Sequence, residues 1–109
     1  MCYYVYMIRC KDNTIYTGIT TDLQRRFNEH KKKTQKCAKY TYFHDAIFIE
    51  CAWKCDSRSL ACKLEYMIKR LSKKDKESLI LGKHKLSEFM LEIDDNCYRR
   101  RNVCVYDLT

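Results

Sequence analysis

The sequence predicts an α+β fold: a small three-stranded antiparallel sheet flanked by helices, with a helical extension at the C-terminus. Three observations predict it. Two β-rich runs, residues 3–10 and 14–20, flank the turn-forming segment Lys11-Asp12-Asn13. A third β-rich run, residues 46–54, stands well apart from them. Between and after these runs the apolar residues switch to helical spacing. The chain has no proline, so no element is interrupted by one.

The first hairpin carries Tyr4-Val5-Tyr6 on one run and Tyr16-Thr17-Gly18 on the other. Side chains of paired antiparallel strands share a face only when their parity agrees with the pairing sum. If Tyr6 and Tyr16 face one site, that sum is even and the loop holds an odd number of residues, three or five. A two-residue Asp12-Asn13 turn would put the tyrosines on opposite faces.

Thr21 reads as the N-cap of the first helix and Gln24 as the N3 partner of a capping box. This helix is expected to run to about Lys32. Leu23 and Phe27, four apart, should pack on the sheet, while Arg26 and His30, also four apart, share a different face. The lysine-rich stretch 31–39 reads as a mobile loop. After the third strand, Asp56 or Ser57 caps a helix over 57–71 with the stripe Leu60, Leu64, Met67, Ile68 and Leu71. Ser72 and Asp75 suggest another capping box, opening a short helix to about Leu81 that Gly82 ends. Leu86, Phe89, Met90 and Ile93 recur at helical spacing and predict an amphipathic helix over 86–94. Arg99-Arg100-Arg101 follows, and Val103-Cys104-Val105-Tyr106 reads as an edge strand.

At 109 residues the chain suits one modest core. It carries 22 Lys+Arg against 14 Asp+Glu, a net charge of +8. That excess favours a polyanionic partner, because neutralising phosphates releases counterions. No apolar stretch approaches the ~20 residues of a membrane helix. No signal peptide is read at the N-terminus, so an intracellular, cytoplasmic location without a membrane partner is expected. Eight cysteines stand at 2, 10, 37, 51, 55, 62, 97 and 104. None forms a C-x2-C pair, and Cys51 and Cys55 on a strand would lie ~13 Å apart. They are expected to be thiols rather than a zinc site or disulfide framework.

Several residues suit phosphodiester hydrolysis, which needs a proton acceptor for water, stabilisation of the pentacoordinate charge and neutralisation of the leaving oxygen. Tyr6 and Tyr16 are candidate acceptors. A phenol with pKa near ~10 is a poor base unless nearby cations lower that value. Otherwise they are strand packing residues. Arg26 can clamp phosphate oxygens bidentately, whereas Arg25 should point to solvent. His30 can donate to phosphate or shuttle a proton, or be an ordinary surface histidine. Glu65, beside the apolar stripe, is either a ligand for hydrated Mg2+ or the i, i+4 partner of Lys69. Lys69 can also add positive charge near the phosphate. Tyr40, Tyr42 and Phe43 beside the lysine run can stack on unpaired bases.

In this order and spacing, residues 3–81 resemble the GIY-YIG nuclease superfamily, and in particular its small single-domain bacterial-type subfamily. The resemblance rests on Tyr4-Val5-Tyr6, Tyr16-Thr17-Gly18, Ile19-Thr20, Asp22-Leu23, Arg25-Arg26-Phe27, His30, and Glu65 with Ile68-Lys69. Tyr4 stands in place of the first motif's glycine and Thr17 in place of the second motif's isoleucine. Ile19 stands where excision-repair relatives carry lysine. The asparagine many relatives place some twelve residues after the glutamate has no counterpart in Lys74-Asp75-Lys76-Glu77-Ser78.

The resemblance implies a central antiparallel sheet and metal-dependent, single-site hydrolysis of DNA with Mg2+ or Mn2+. It implies that Tyr6, Tyr16, Arg26 and His30 are catalytic and that Glu65 binds the metal, without deciding which tyrosine is the base. Residues 1–81 form the nuclease-like domain on this reading and 82–109 an extension. The extension is too short for a second DNA-binding domain. A branched, single-stranded or damaged DNA, read by shape and charge, is therefore the expected substrate, in a role such as DNA repair. The rival reading is a non-catalytic or partner-activated nucleic-acid-binding module. A third is an interaction protein whose segment 86–94 docks on a protein partner or a second copy.

Overall fold

The computed structural model describes residues 2–32 and 39–101, without the side chains of residues 41–43. The element order is β1 (Tyr3–Cys10), β2 (Ile15–Thr20), α1 (Leu23–Lys31), α2 (Lys39–His44), β3 (Ala46–Cys55), α3 (Arg58–Lys69), α4 (Lys73–Leu81) and β4 (Arg99–Arg101), with two 3-10 turns at Leu86–Glu88 and Asp95–Cys97. All pairings are antiparallel, in the order β2-β1-β3-β4. The sheet thus has four strands rather than three. The fourth lies on the arginine triplet, opposite Ala52, Trp53 and Lys54. The edge strand expected at 103–106 lies outside the described residues.

The first hairpin pairs Tyr4 with Thr20 and Arg9 with Ile15, an even sum. Its loop is the three residues Lys11, Asp12 and Asn13, with the Asn13 amide donating to the Cys10 carbonyl and the Cys10 amide to the Thr14 carbonyl. Asn13 has φ 68°, a left-handed conformation that asparagine tolerates and that closes a three-residue hairpin. Tyr6 and Tyr16 therefore share a face.

The two sheet faces carry two cores. Val5, Met7, Cys51 and Trp53 face α3 and α4, together with Ala61, Leu64, Ile68 and Leu79. Tyr6, Ile8, Cys10, Ile49 and Ala52 face α1, which adds Leu23 and Phe27. Strict alternation along β3 would place Ile49 and Ala52 on opposite faces. A register shift between Met7–Cys51 and Ile8–Ile49 leaves Glu50 as an extra residue and restores both to the α1 face. Glu50 then accepts from Arg9 Nε at 2.9 Å, and Glu77 of α4 takes the other end of the same guanidinium at 2.7 and 2.5 Å.

Three expectations about helices need correction. α1 is capped by Asp22, whose carboxylate accepts from the Arg25 amide at 3.1 Å, and Thr21 stands outside it. An ionised carboxylate at a helix N-terminus is favoured by the helix dipole. Part of the lysine-rich stretch, 33–38, lies outside the described residues, but α2 begins at Lys39. Segment 86–94 is no α-helix. Its helical content is the turn at Leu86–Glu88, held by Ser87 Oγ and amide on the Asp95 carboxylate. Leu86, Met90 and Ile93 are buried against this chain's own core, as is Tyr98. The stripe expected to meet a partner thus packs inward. α3 and α4 are as expected: Ser57 and Ser72 cap them, and Gly82 ends α4 in the left-handed conformation at φ 76°.

Cys2, Cys10, Cys51, Cys55, Cys62 and Cys97 are free thiols, and burial pushes Cys51 up to about 12. Cys37 and Cys104 lie outside the described residues. No helix among the described residues is long and apolar enough to cross a membrane.

Candidate active site

β1 and β2 project Tyr6, Tyr16 and Gly18 from the α1 face of the sheet. α1 then brings its own polar strip over them. Leu23 and Phe27 anchor this helix in the core, which fixes the rotation of the residues between them. His30, one turn after Phe27, is fully buried and its Nε2 lies 2.9 Å from the Tyr6 hydroxyl. Arg26 is half-buried on the same strip, while its neighbour Arg25 is exposed, as the spacing predicted. Arg26 Nη1 donates to Glu29 Oε1 at 2.9 Å.

The tyrosines and the histidine form one aromatic cluster. Ring centroids lie 6.3 Å apart for Tyr6 and Tyr16, 5.8 Å for Tyr6 and His30, and 5.4 Å for Tyr16 and His30. Gly18 is directly opposite Tyr6 across the strand pair. A Cβ there would fall 2.5 Å from Tyr6 Oη and 3.0 Å from Tyr16 Cε2, so glycine is required for the close approach.

Electrostatics set the resting protonation. Burial raises the Tyr6 pKa well above its ordinary value, with Tyr16 and Glu65 adding to the effect and Arg26 opposing it. Burial, aided by Arg26, lowers His30 to about 4. Both groups are neutral near pH 7, so the Tyr6 hydroxyl donates and His30 Nε2 accepts.

α3 packs on β2 and β1 from the other face of the sheet. Its Glu65 carboxylate is 3.5 Å from Lys69 Nζ, and Lys69 in turn sits 5.6 Å over the Tyr16 ring. Both alternatives weighed for Glu65 are thus compatible with its position: it has its lysine partner, and it is near enough to Tyr6 to act on it electrostatically. Its side chain is 24 % exposed, open to a cation carrying water. No three His, Cys, Asp or Glu side chains among the described residues converge on a point. One carboxylate with solvent access suits Mg2+, which keeps most of its water, and does not suit zinc.

The structure therefore brings Tyr6, Tyr16, Arg26 and His30 together, with Glu65 at their rim. Sequence reasoning missed Glu29 as the partner of Arg26, although their i, i+3 spacing was a usable signal. It also missed α2, which lays Tyr40 beside Tyr16 at 5.6 Å between ring centroids. Tyr42 and Phe43, read with Tyr40 as stacking residues, have side chains outside those described.

The family model of the GIY-YIG catalytic domain matches residues 2–78. A UPF0213 protein of Fusobacterium nucleatum is 50% identical over 80 residues, which cover 73% of this chain and 78% of that protein. Another, from Klebsiella pneumoniae, is 35% identical over 96 residues, covering 88% and 89%. Among solved structures, the solution NMR structure of the UPF0213 protein BH0048 from Bacillus halodurans is 34% identical, covers 86% of this chain and 98% of its own, and aligns with a TM-score of 0.46. With its tyrosine hairpin, basic helix and glutamate in one family match spanning residues 2–78, this chain belongs to the GIY-YIG family.

Proposed function

We propose that this protein hydrolyses DNA phosphodiester bonds as a Mg2+- or Mn2+-dependent endonuclease that selects substrates by structure rather than by sequence. The observation that carries this reading is the Tyr6–His30 hydrogen bond beside Arg26. A free tyrosinate is out of reach at neutral pH, because burial holds the Tyr6 proton. The pair lessens that difficulty, because a protonated His30, although burial opposes it, costs less than a buried phenolate and would be stabilised by the bound phosphate. As attacking water gives its proton to Tyr6 Oη, Tyr6 passes its own to His30 Nε2, and no isolated phenolate forms. This favours Tyr6 over Tyr16 as the acceptor. Arg26 exchanges Glu29 for the phosphate and stabilises the charge that grows on its oxygens. Tyr16, half-buried under Lys69, lines the approach. A divalent cation held by Glu65 would add Lewis-acid stabilisation of the phosphate and the leaving oxygen.

A second reading, a non-catalytic or partner-activated nucleic-acid-binding module, is favoured by a different observation. Tyr6 is only 1 % exposed and His30 0 %, so substrate reaches the hydroxyl only when the cover above it shifts. One experiment separates the two. Purified protein is incubated with labelled single-stranded, duplex and branched DNA in Mg2+, Mn2+ or EDTA, beside Glu65→Ala, Tyr6→Phe and Arg26→Ala. Metal-dependent cutting reduced roughly 100-fold or more in each variant supports the nuclease. Binding without cutting, equal in wild type and Glu65→Ala, removes catalysis from the isolated chain.

A further inference from the structure

The strand register arranges the α1 face of the sheet in cross-strand rows. Gly18, Tyr6, Ala52 and Arg101 are successive partners across β2, β1, β3 and β4 and make one row. Thr20, Tyr4, Lys54 and Arg99 make the next. Directly paired side chains share a face, so Lys54, Arg99 and Arg101 stand on the face that carries Tyr6. Two contacts agree with that placement. Arg101 lies over the Tyr4 ring at 5.8 Å, and Tyr4 packs on the α1-face core. Arg100, between the other two arginines, lies over Trp53 on the opposite face and bonds the Leu79 and Ile80 carbonyls. Arg101 is two strand spacings from Tyr6, about 10 Å, less than the ~12 Å width of a DNA major groove.

Packing does not account for these cations. Lys54 is directly opposite Arg99, and like charges so placed destabilise a strand pair. Arg99 and Arg101 are exposed, and none of the three cations is ion-paired with a carboxylate of the described residues. Asp56 borders the small cleft that Lys54 and Arg99 share, one carboxylate beside two cations. Charge on an edge strand keeps other strands away, but that role asks nothing of Lys54 on the inner strand β3. A guanidinium stacked on a ring keeps its N–H edge for an anion, and Arg101 covers a Tyr4 face that a base would need. The strip therefore suits phosphates rather than bases. A duplex presents phosphates most densely, one negative charge per ~1.7 Å of its axis.

We propose that Lys54, Arg99 and Arg101 form a phosphate-binding strip that holds the backbone of a duplex DNA arm beside the scissile bond. The segment after residue 81 thereby contributes to substrate binding through β4. The inference rests on the nuclease reading of the neighbouring site and names what lies next to the cut, a duplex arm.

The test is fluorescence anisotropy with a labelled blunt duplex at several salt concentrations, in EDTA so that no cutting intervenes. Arg99→Thr with Arg101→Thr keeps strand-forming residues and should reduce the slope of log affinity against log salt by about 1.8, the counterion release of two duplex phosphates. Adding Lys54→Ala should remove about 0.9 more. Arg99→Lys with Arg101→Lys should keep the wild-type slope. Arg58→Ala with Lys74→Ala, exposed residues of α3 and α4 on the opposite side of the sheet, should also keep it. A wild-type slope in the threonine pair overturns the proposal, as does an equal loss in the Arg58 and Lys74 pair, which would make the effect one of net charge. A lysine pair as impaired as the threonine pair also overturns it, because the loss would then belong to the shape of β4 and not to its charge. Cleavage in Mg2+ scores the nuclease separately. Slopes as described without cutting remove the nuclease and keep the strip, whereas cutting with an unchanged slope in the threonine pair removes the strip and keeps the nuclease.

Discussion

Tyr6 and Gly18 face each other directly across β1 and β2, and a Cβ on Gly18 would fall 2.5 Å from Tyr6 Oη and 2.8 Å from Tyr6 Cζ. The obstructing atoms belong to a rigid ring in the core, so they cannot swing aside. Gly18→Ala is therefore expected to cost about 1–3 kcal/mol and to move Tyr6 away from His30, with metal-dependent cleavage falling in parallel. Adding Tyr6→Phe removes the 2.5 Å contact and leaves the 2.8 Å one. The double variant should recover part of the stability and none of the activity. Urea unfolding of the four proteins in a double-mutant cycle checks this, and additive costs would show that the two residues do not touch.

His30 makes a pH dependence that can be isolated. Its ordinary value is 6.5, and burial lowers it to about 4 in the folded protein. The unfolded chain thus binds the extra proton first as pH falls. The stability associated with neutral His30 is complete above pH 6.5 and is lost as pH drops through about 4. The full loss is about 3 kcal/mol. Asp12 is held down to about 2 by Thr14 and His44, and Arg9 holds Glu77 below its ordinary value. His30→Gln keeps an acceptor for Tyr6 without a titrating ring. Its urea midpoint should fall less steeply than wild type between pH 6.5 and 4, and parallel curves would refute the assignment.

Arg9 joins three elements that the sequence gives no reason to connect. It bridges Glu50 of the β3 bulge and Glu77 of α4, and its Nη1 also donates to Asn13 Oδ1 at 3.1 Å. Its side chain is 12 % exposed and that of Glu50 18 %, so removing the cation leaves two poorly hydrated carboxylates close together. Arg9→Leu should cost about 3 kcal/mol. Glu77→Gln should cost about 1 kcal/mol, because Glu77 is more exposed and Glu50 still satisfies the arginine. Arg9→Lys should not restore the wild-type midpoint, since one ammonium cannot replace a fork that meets two carboxylates. Equal midpoints for Arg9→Leu and Glu77→Gln would contradict the shared role.

What the sequence made legible was whatever short-range chemistry determines. Asn13, with its tolerance of positive φ, and the parity of Tyr6 and Tyr16 together led to an odd loop of three or five residues, and three are found. Ser57, Ser72 and Gly82 marked helix ends because each satisfies backbone groups within its own turn. Burial was legible where conformation was not: Leu86, Met90 and Ile93 are inside, but Asp94, Asp95 and Asn96 bond nearby backbone and side chains and favour turns over a continuing helix. α2 was hidden because six residues form no stable helix alone. It depends on Tyr40 against Tyr16 and His44 against Asp12, contacts between residues far apart in sequence. The same holds for the Glu50 bulge and its meeting with Arg9. In the candidate site, types and order were legible, whereas the neutral state of the Tyr6–His30 pair followed only from burial.

Thr17 is the one buried side-chain polar atom among the described residues without a hydrogen-bond partner. It stands on the α3 face of β2, opposite Met7, and is 2 % exposed. Its hydroxyl has left water without gaining a bond, which costs about 1–3 kcal/mol. Valine has nearly the same shape, keeps the β-branch that suits a strand and removes the orphaned oxygen. Thr17→Val should therefore raise the urea midpoint by an amount equivalent to about 1 kcal/mol. Because Thr17 points away from the Tyr6 face, cleavage at 25 °C should be unchanged. A destabilised Thr17→Val would mean that the hydroxyl has a partner after all, such as an ordered water between β2 and α3. A stabilised variant with altered cleavage would mean that the two faces of the sheet are coupled through β2.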